Sequence, residues 1–124
     1  MQEISAKIIK HRITHSNIHV SPNLPNTFEV SMEGRANLKT SENVEDKRVM
    51  LNVGLDIRKG KELKIEFVAD FIFELESVLD NYDEITENQL IPMARESLLN
   101  SLDEMLGVMG YNTMELAKKC GNNG

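Results

Sequence analysis

The chain reads as an α+β protein, a four-stranded antiparallel meander sheet with one long and one short helix packed on one face. Three observations carry that reading. Phe28–Lys39, Val49–Ile57 and Leu63–Leu75 alternate apolar with polar residues, the period of strands with one dry and one wet face. At Ile91–Tyr111 the period changes: Ile91, Ala94, Leu98, Leu102, Met105 and Met109, joined by Leu99 and Leu106, recur every three or four residues and make one apolar helical stripe. Finally, 124 residues hold one hydrophobic core rather than two. Residues 1–120 are therefore expected to form a single domain, with 121–124 as a frayed tail.

Ile4, Ala6 and Ile8 alternate with polar residues, then Ile9 breaks the parity, which predicts a first strand, bulged at Ile8–Ile9, running to about Val20. Ser21–Asn26, with two prolines, cannot be a central strand and makes a crossover loop. The second strand puts Phe28, Val30, Met32, Ala36 and Leu38 on one face. After the charged loop Ser41–Lys47, Val49, Leu51, Val53, Leu55 and Ile57 form the third strand. Arg58–Lys61 then turns the chain, with Gly60 available for positive φ. The fourth strand, Leu63–Leu75, leaves Val68 and Ile72 apolar on its otherwise polar face. Ser77–Glu87 is an acidic connection. Thr86 or Asn88 can cap the long helix, which is expected to begin near Pro92 because proline fits only a first turn. Gly107 or Gly110 ends it, and Asn112–Glu115 caps a short final helix, Thr113–Lys119.

An area comparison predicts that one copy is incomplete. Four strands ~4.8 Å apart and ~35 to 40 Å long present a face of roughly 700 Å². A helix ~10 Å wide and ~27 to 30 Å long shadows on the order of 300 Å² of it. Soluble monomers rarely leave several hundred Å² of apolar surface open, so self-association or a client-binding groove is expected.

Composition narrows the function. Charged residues make up 27% and hydrophobic ones 40%, as in soluble globular proteins. The net charge of −6 argues against nucleic acid, and no apolar run is long enough to insert in a membrane. Cys120 is the one cysteine, so no intrachain disulfide is expected, and a reducing cytoplasmic setting follows. Met1–Lys10 carries Glu3, Lys7 and Lys10 and lacks the apolar core of a signal peptide.

Candidate chemistry is sparse. Asp80, Asp83, Glu84 and Glu87 could be imagined around a divalent cation, but the glycine and spacing of a calcium loop are absent, and a solvated acidic loop is the better reading. His11, His15 and His19 share a spacing that puts three side chains on one side of a strand, as half-exposed residues rather than metal ligands. Met93, Met105, Met109 and Met114 fit a helical core better than an adaptable peptide-binding surface. No nucleophile with a neighbouring base and no phosphate loop occurs, so no catalytic, cofactor or metal residue is assigned.

Several short segments together resemble a known family. Gln89–Ser97, QLIPMARES, resembles the L-F-P-Y-A-R-E segment that opens the long helix of the protein-export chaperone SecB, with Pro92, Ala94, Arg95 and Glu96 in the matching places. Asn17–Phe28 looks like the family's first-strand exit and crossover loop, and Ile72–Leu75 stands where its strand ends in I-F-x-I. The resemblance implies a SecB-like fold and an ATP-independent holdase that binds unfolded or precursor polypeptides. It also implies a homo-oligomer, dimer or tetramer, with Leu98, Leu102 and Met105 toward the subunit interface. Clients would meet Val20, Leu24 and Phe28, and Glu66 matches an acidic position that contacts the translocation motor SecA. Asn17 stands where the family has its other motor-contacting acid, Lys64 replaces an apolar neighbour of Glu66, and the link between the helices is cut to Gly107–Asn112. The alternative is an oligomeric adaptor or toxin–antitoxin-associated factor that binds one protein partner.

Overall fold

Strands form where the alternation runs, and the computed structural model, which describes residues 5–24, 28–43, 45–111 and 115–116, joins four of them in one sheet. They are β1 (Ala6–Val20), β2 (Ser31–Thr40), β3 (Arg48–Lys59) and β4 (Leu63–Leu75). All pairings are antiparallel, and the order is β1-β4-β3-β2. Only β2, β3 and β4 are therefore a meander. β1 does not lie beside β2 as a full meander requires; it sits at the opposite edge, next to β4. The crossover loop makes this possible. It leaves β1 with the Ser21 N–H donated to the Glu62 carbonyl at 2.7 Å, so it is tied to the β3–β4 turn at the end of the sheet. That turn places Gly60 at φ +52°, as its position predicts.

β2 starts at Ser31, three residues later than the alternation begins. Its first paired residue, Ser31, stands opposite Arg58, one residue before β3 ends at Lys59. β1 carries two register shifts, between Ile8 and Lys10 and between Ile13 and His15. The first is the expected bulge at Ile9. The second, at Thr14, has no apolar marker in the sequence and was not expected.

The helical segment begins earlier than the proline implies. α1 (Asp83–Ile85) runs into a π-helical turn, Thr86–Leu90, and then into α2 (Ile91–Val108). Pro92 has no N–H to give and its ring would press on the carbonyl one α-turn back. The widened π-turn ahead of it moves that part of the backbone aside, so the helix continues instead of starting there. Thr86 is thus inside the helical run and caps nothing. The start is set by Asn81, whose Oδ1 accepts the Asp83 N–H at 2.8 Å, and Asp83 and Glu84 lie favourably in the first turn. Gly110 ends α2: at φ +100° it lets Tyr111 N–H reach the Leu106 carbonyl at 2.7 Å while its own N–H meets Gly107.

α2 lies on the face of the sheet formed by the odd-numbered residues of β3 and β4. Leu51, Leu55, Ile57, Ile65, Phe67, Phe71 and Phe73 are buried there with Ala94, Leu98, Leu99, Leu102 and Leu106 of the helix. Burying each large side chain contributes about 1.5–3 kcal/mol, so this two-layer contact supplies most of the fold's stability. The expected final helix, Thr113–Lys119, Cys120 and the 121–124 tail lie outside the described residues, apart from Glu115 and Leu116. Leu116 is fully buried, and its N–H is donated to Asp103 Oδ1 at 2.7 Å.

Candidate functional site

The helix covers only the middle of the sheet. On its side, here the inner face, residues 9–17 of β1 and 33–37 of β2 are exposed, whereas the inner residues of β3 and β4 are almost wholly buried. Register shows which side chains form the open margins. On β1, His11 pairs with Phe71, Ile13 with Ala69 and Ser16 with Phe67, so all three point inward. On β2, Met32, Gly34, Ala36 and Leu38 pair with Ile57, Leu55, Val53 and Leu51 and also point inward. The margins are apolar or small: Ile13 is 37% exposed, Met32 and Leu38 are half-buried, and Gly34 and Ala36 present almost no side chain. His11 stacks on Phe71, ring centroids 5.7 Å apart and planes 22° off parallel, and is the polar feature of the β1 margin beside Ser16.

The twin bulges decide this placement. After Ile9 the parity of β1 inverts, and after Thr14 it inverts again. The three histidines therefore do not share a side. His11 faces inward, while His15 and His19, paired with Val68 and Lys64, face outward. Among the described residues no group of three or more His, Cys, Asp or Glu side chains could hold a metal ion, and the Asp80–Glu87 acids are in part the first helical turn. The one buried side-chain polar atom without a partner among the described residues is Thr86 Oγ1, inside the π-turn.

Val20 closes β1 at one edge of the sheet, Leu24 lies in the crossover loop, and Phe28 precedes β2 at the opposite edge. All three are half-buried hydrophobics packed against the edge of the core, with Val20 opposite Leu63. Leu24 is fixed by a tight turn, its N–H donated to the Ser21 carbonyl at 3.1 Å. Glu66 lies on the outer face, half-buried, with its carboxylate 3.7 Å from His15 Nε2. Leu98 and Leu102 are 1% and 0% exposed within a single chain. Both pack within the core of the single chain. Met105 is half-buried against the same core and keeps an exposed part. At the end of α2 Val108 is 91% exposed, followed by the exposed Met109 and Tyr111.

No helix among the described residues is long and apolar enough to cross a membrane. No family model matches the chain, and no curated protein is similar to it in sequence. A solved structure is similar in shape: the SecB-like chaperone Rv1957 of Mycobacterium tuberculosis in complex with a ChAD peptide from the Rv1956 HigA1 antitoxin, at a TM-score of 0.70 and 8% identity. The superposition covers 89% of this chain and 86% of that one. The chain accordingly has a SecB-like fold.

Proposed function

We propose that this chain is a SecB-like, ATP-independent holdase that keeps non-native polypeptides from aggregating by covering their apolar segments. The observation that carries the reading is the open inner margin: α2 roofs β3 and β4, and the apolar and small residues beside it on β1 and β2 are left accessible. Clients would lie along that margin, with Val20, Leu24 and Phe28 at one end and Ile13 and Met32 along its flanks. Apolar burial at roughly 25 cal/mol per Å² drives such binding with little sequence preference. Oligomerisation, as dimer or tetramer, would line up margins from several copies and let one long client engage more than one of them. The setting we assign is cytoplasmic. Hand-over to SecA has only Glu66 in its favour, whose carboxylate lies 3.7 Å from His15 Nε2.

One observation favours a narrower reading. The β1 margin is not uniformly apolar, since His11 stacked on Phe71 and the neighbouring Ser16 give it polar features that a dedicated partner can match. The similarly folded neighbour was solved with a peptide from one antitoxin. Light scattering of several unrelated denatured proteins, diluted into buffer with the purified chain and no nucleotide, separates the two. The holdase reading expects protection of most of them at near-stoichiometric amounts. Protection of none, together with recovery of one partner in a pull-down, would replace it with the adaptor.

A further inference from the structure

We propose that the outer face of the sheet is a second docking surface, built for an acidic, amphipathic polypeptide segment. The argument is independent of what the inner margin binds.

Outward residues fall into rows across the four strands, fixed by the register. One row runs Lys10, Ile72, Met50, Lys39, and another runs His15, Val68, Gly54, Arg35. In each, the two central strands contribute apolar or absent side chains and the two edge strands contribute nitrogen bases or cations. Met50, Val68 and Ile72 are half-buried on a face that no element covers among the described residues. A depression of about 390 Å³ with a mainly apolar lining opens at Met50 and Ile72, rimmed by Lys39 and by the Arg48–Asp46 ion pair. Further down, Gly54 is buried beneath the side chain of Arg35. A Cβ there would meet the Arg35 guanidinium, Nη2 at 2.9 Å, so the arginine lies across the glycine and faces outward over the sheet.

The charges on this face are not self-compensated. The acids of the central strands each have a partner already. Glu74 is met by Lys7 at 3.5 Å, Asp56 by Arg58 at 2.8 Å and Glu66 by His15 at 3.7 Å. Asp70 is met by Asn52 at 2.8 Å and Arg12 at 4.0 Å. Lys39, at the rim of the depression, and Lys10, paired in register with Ile72, make no ion pair among the described residues. Free cations beside an apolar strip, on a chain whose net charge is −6, select an acidic partner and orient it, because the rest of the surface repels it. A phosphate backbone would use the cations and leave the apolar strip unfilled. A segment with acids flanking apolar residues uses both.

The test is methyl NMR on the purified full chain, with Met and Ile methyl groups labelled. The probe is a synthetic peptide of alternating glutamate and leucine, about 10 residues long to span the ~33 Å of a strand. Its control replaces glutamate by lysine. The proposal expects saturable shifts at Met50 and Ile72 with the glutamate peptide, about tenfold weaker affinity in the Lys10→Glu, Lys39→Glu double variant, and no shift with the lysine peptide. The neutral pair Lys10→Gln, Lys39→Gln supplies the same comparison if the charge-reversed variant fails to fold. Three results would overturn it. These are equal shifts with the lysine peptide or with a single-stranded DNA oligonucleotide, no shift with any probe, or Met50 signals that depend on the chain's own concentration, which would assign the face to a second copy.

Discussion

Single residues show where local chemistry is readable and where it is hidden. Gly60 and Gly110 stand out because glycine at the end of a strand or helix marks a positive φ, and both adopt it. His11 is the opposite case. Its side of the sheet depends on an unpaired residue at Thr14, and nothing in the apolar pattern announces that bulge, so spacing alone puts it with His15 and His19. The Asp56–Arg58 pair, two residues apart on the outer face of β3, carries a pH prediction. Hydrogen bonds from Arg58, at 2.8 and 3.1 Å, hold the Asp56 carboxyl below its ordinary value, and the nearby charges of Arg58, Arg35 and Lys64 act in the same direction. A carboxyl whose folded pKa is lowered stabilises the fold above the ordinary carboxylate pKa, and that contribution is lost as pH falls through the folded value. At neutral pH it is constant. NMR titration of the Asp56 carboxyl should show a midpoint below the usual aspartate range, returning toward it in Arg58→Gln; because the pair is exposed, the effect on stability is small.

At the level of elements, alternation identifies each strand and its dry face, and the helical stripe identifies α2, because side-chain period follows directly from backbone geometry. Two things escape that logic. Strand order depends on which neighbours a strand meets, and the period of β1 is the same beside β2 or β4; only the path of the crossover loop decides. The helix start escapes because Pro92 reads as a first-turn residue, whereas the π-turn accommodates it inside a longer run. The stripe itself was legible, including Leu98 and Leu102, but a stripe cannot say whether it meets its own sheet or another copy. Within one chain Leu102 is 0% exposed. Leu102→Asp should therefore unfold the chain rather than merely separate subunits, costing about 4 kcal/mol as a charge enters the core. Urea unfolding followed by circular dichroism measures it. Native helix content and unchanged stability in that variant would mean that the face has been misassigned.

For the whole molecule, the mismatch between a wide sheet and a single helix is legible in the sequence from lengths alone, and the structure shows where it falls. Coverage is complete over β3 and β4 and absent over the middle of β1 and β2. Val20, Leu24 and Phe28 were linked only through the resemblance; each packs against the core, Val20 opposite Leu63 at the β1 edge. The outer face was hinted at by Val68 and Ile72, yet its cationic flanks became a pattern only once the register aligned four strands. The most direct measurement of the central claim uses a reduced and alkylated protein that cannot refold, added to the chain with its Ile, Leu and Met methyl groups labelled. Shifts should concentrate at Ile13, Met32 and Leu24 on the inner margin and spare the buried Leu98 and Leu102. Absence of binding, or shifts confined to the outer face at Met50 and Ile72, would contradict it.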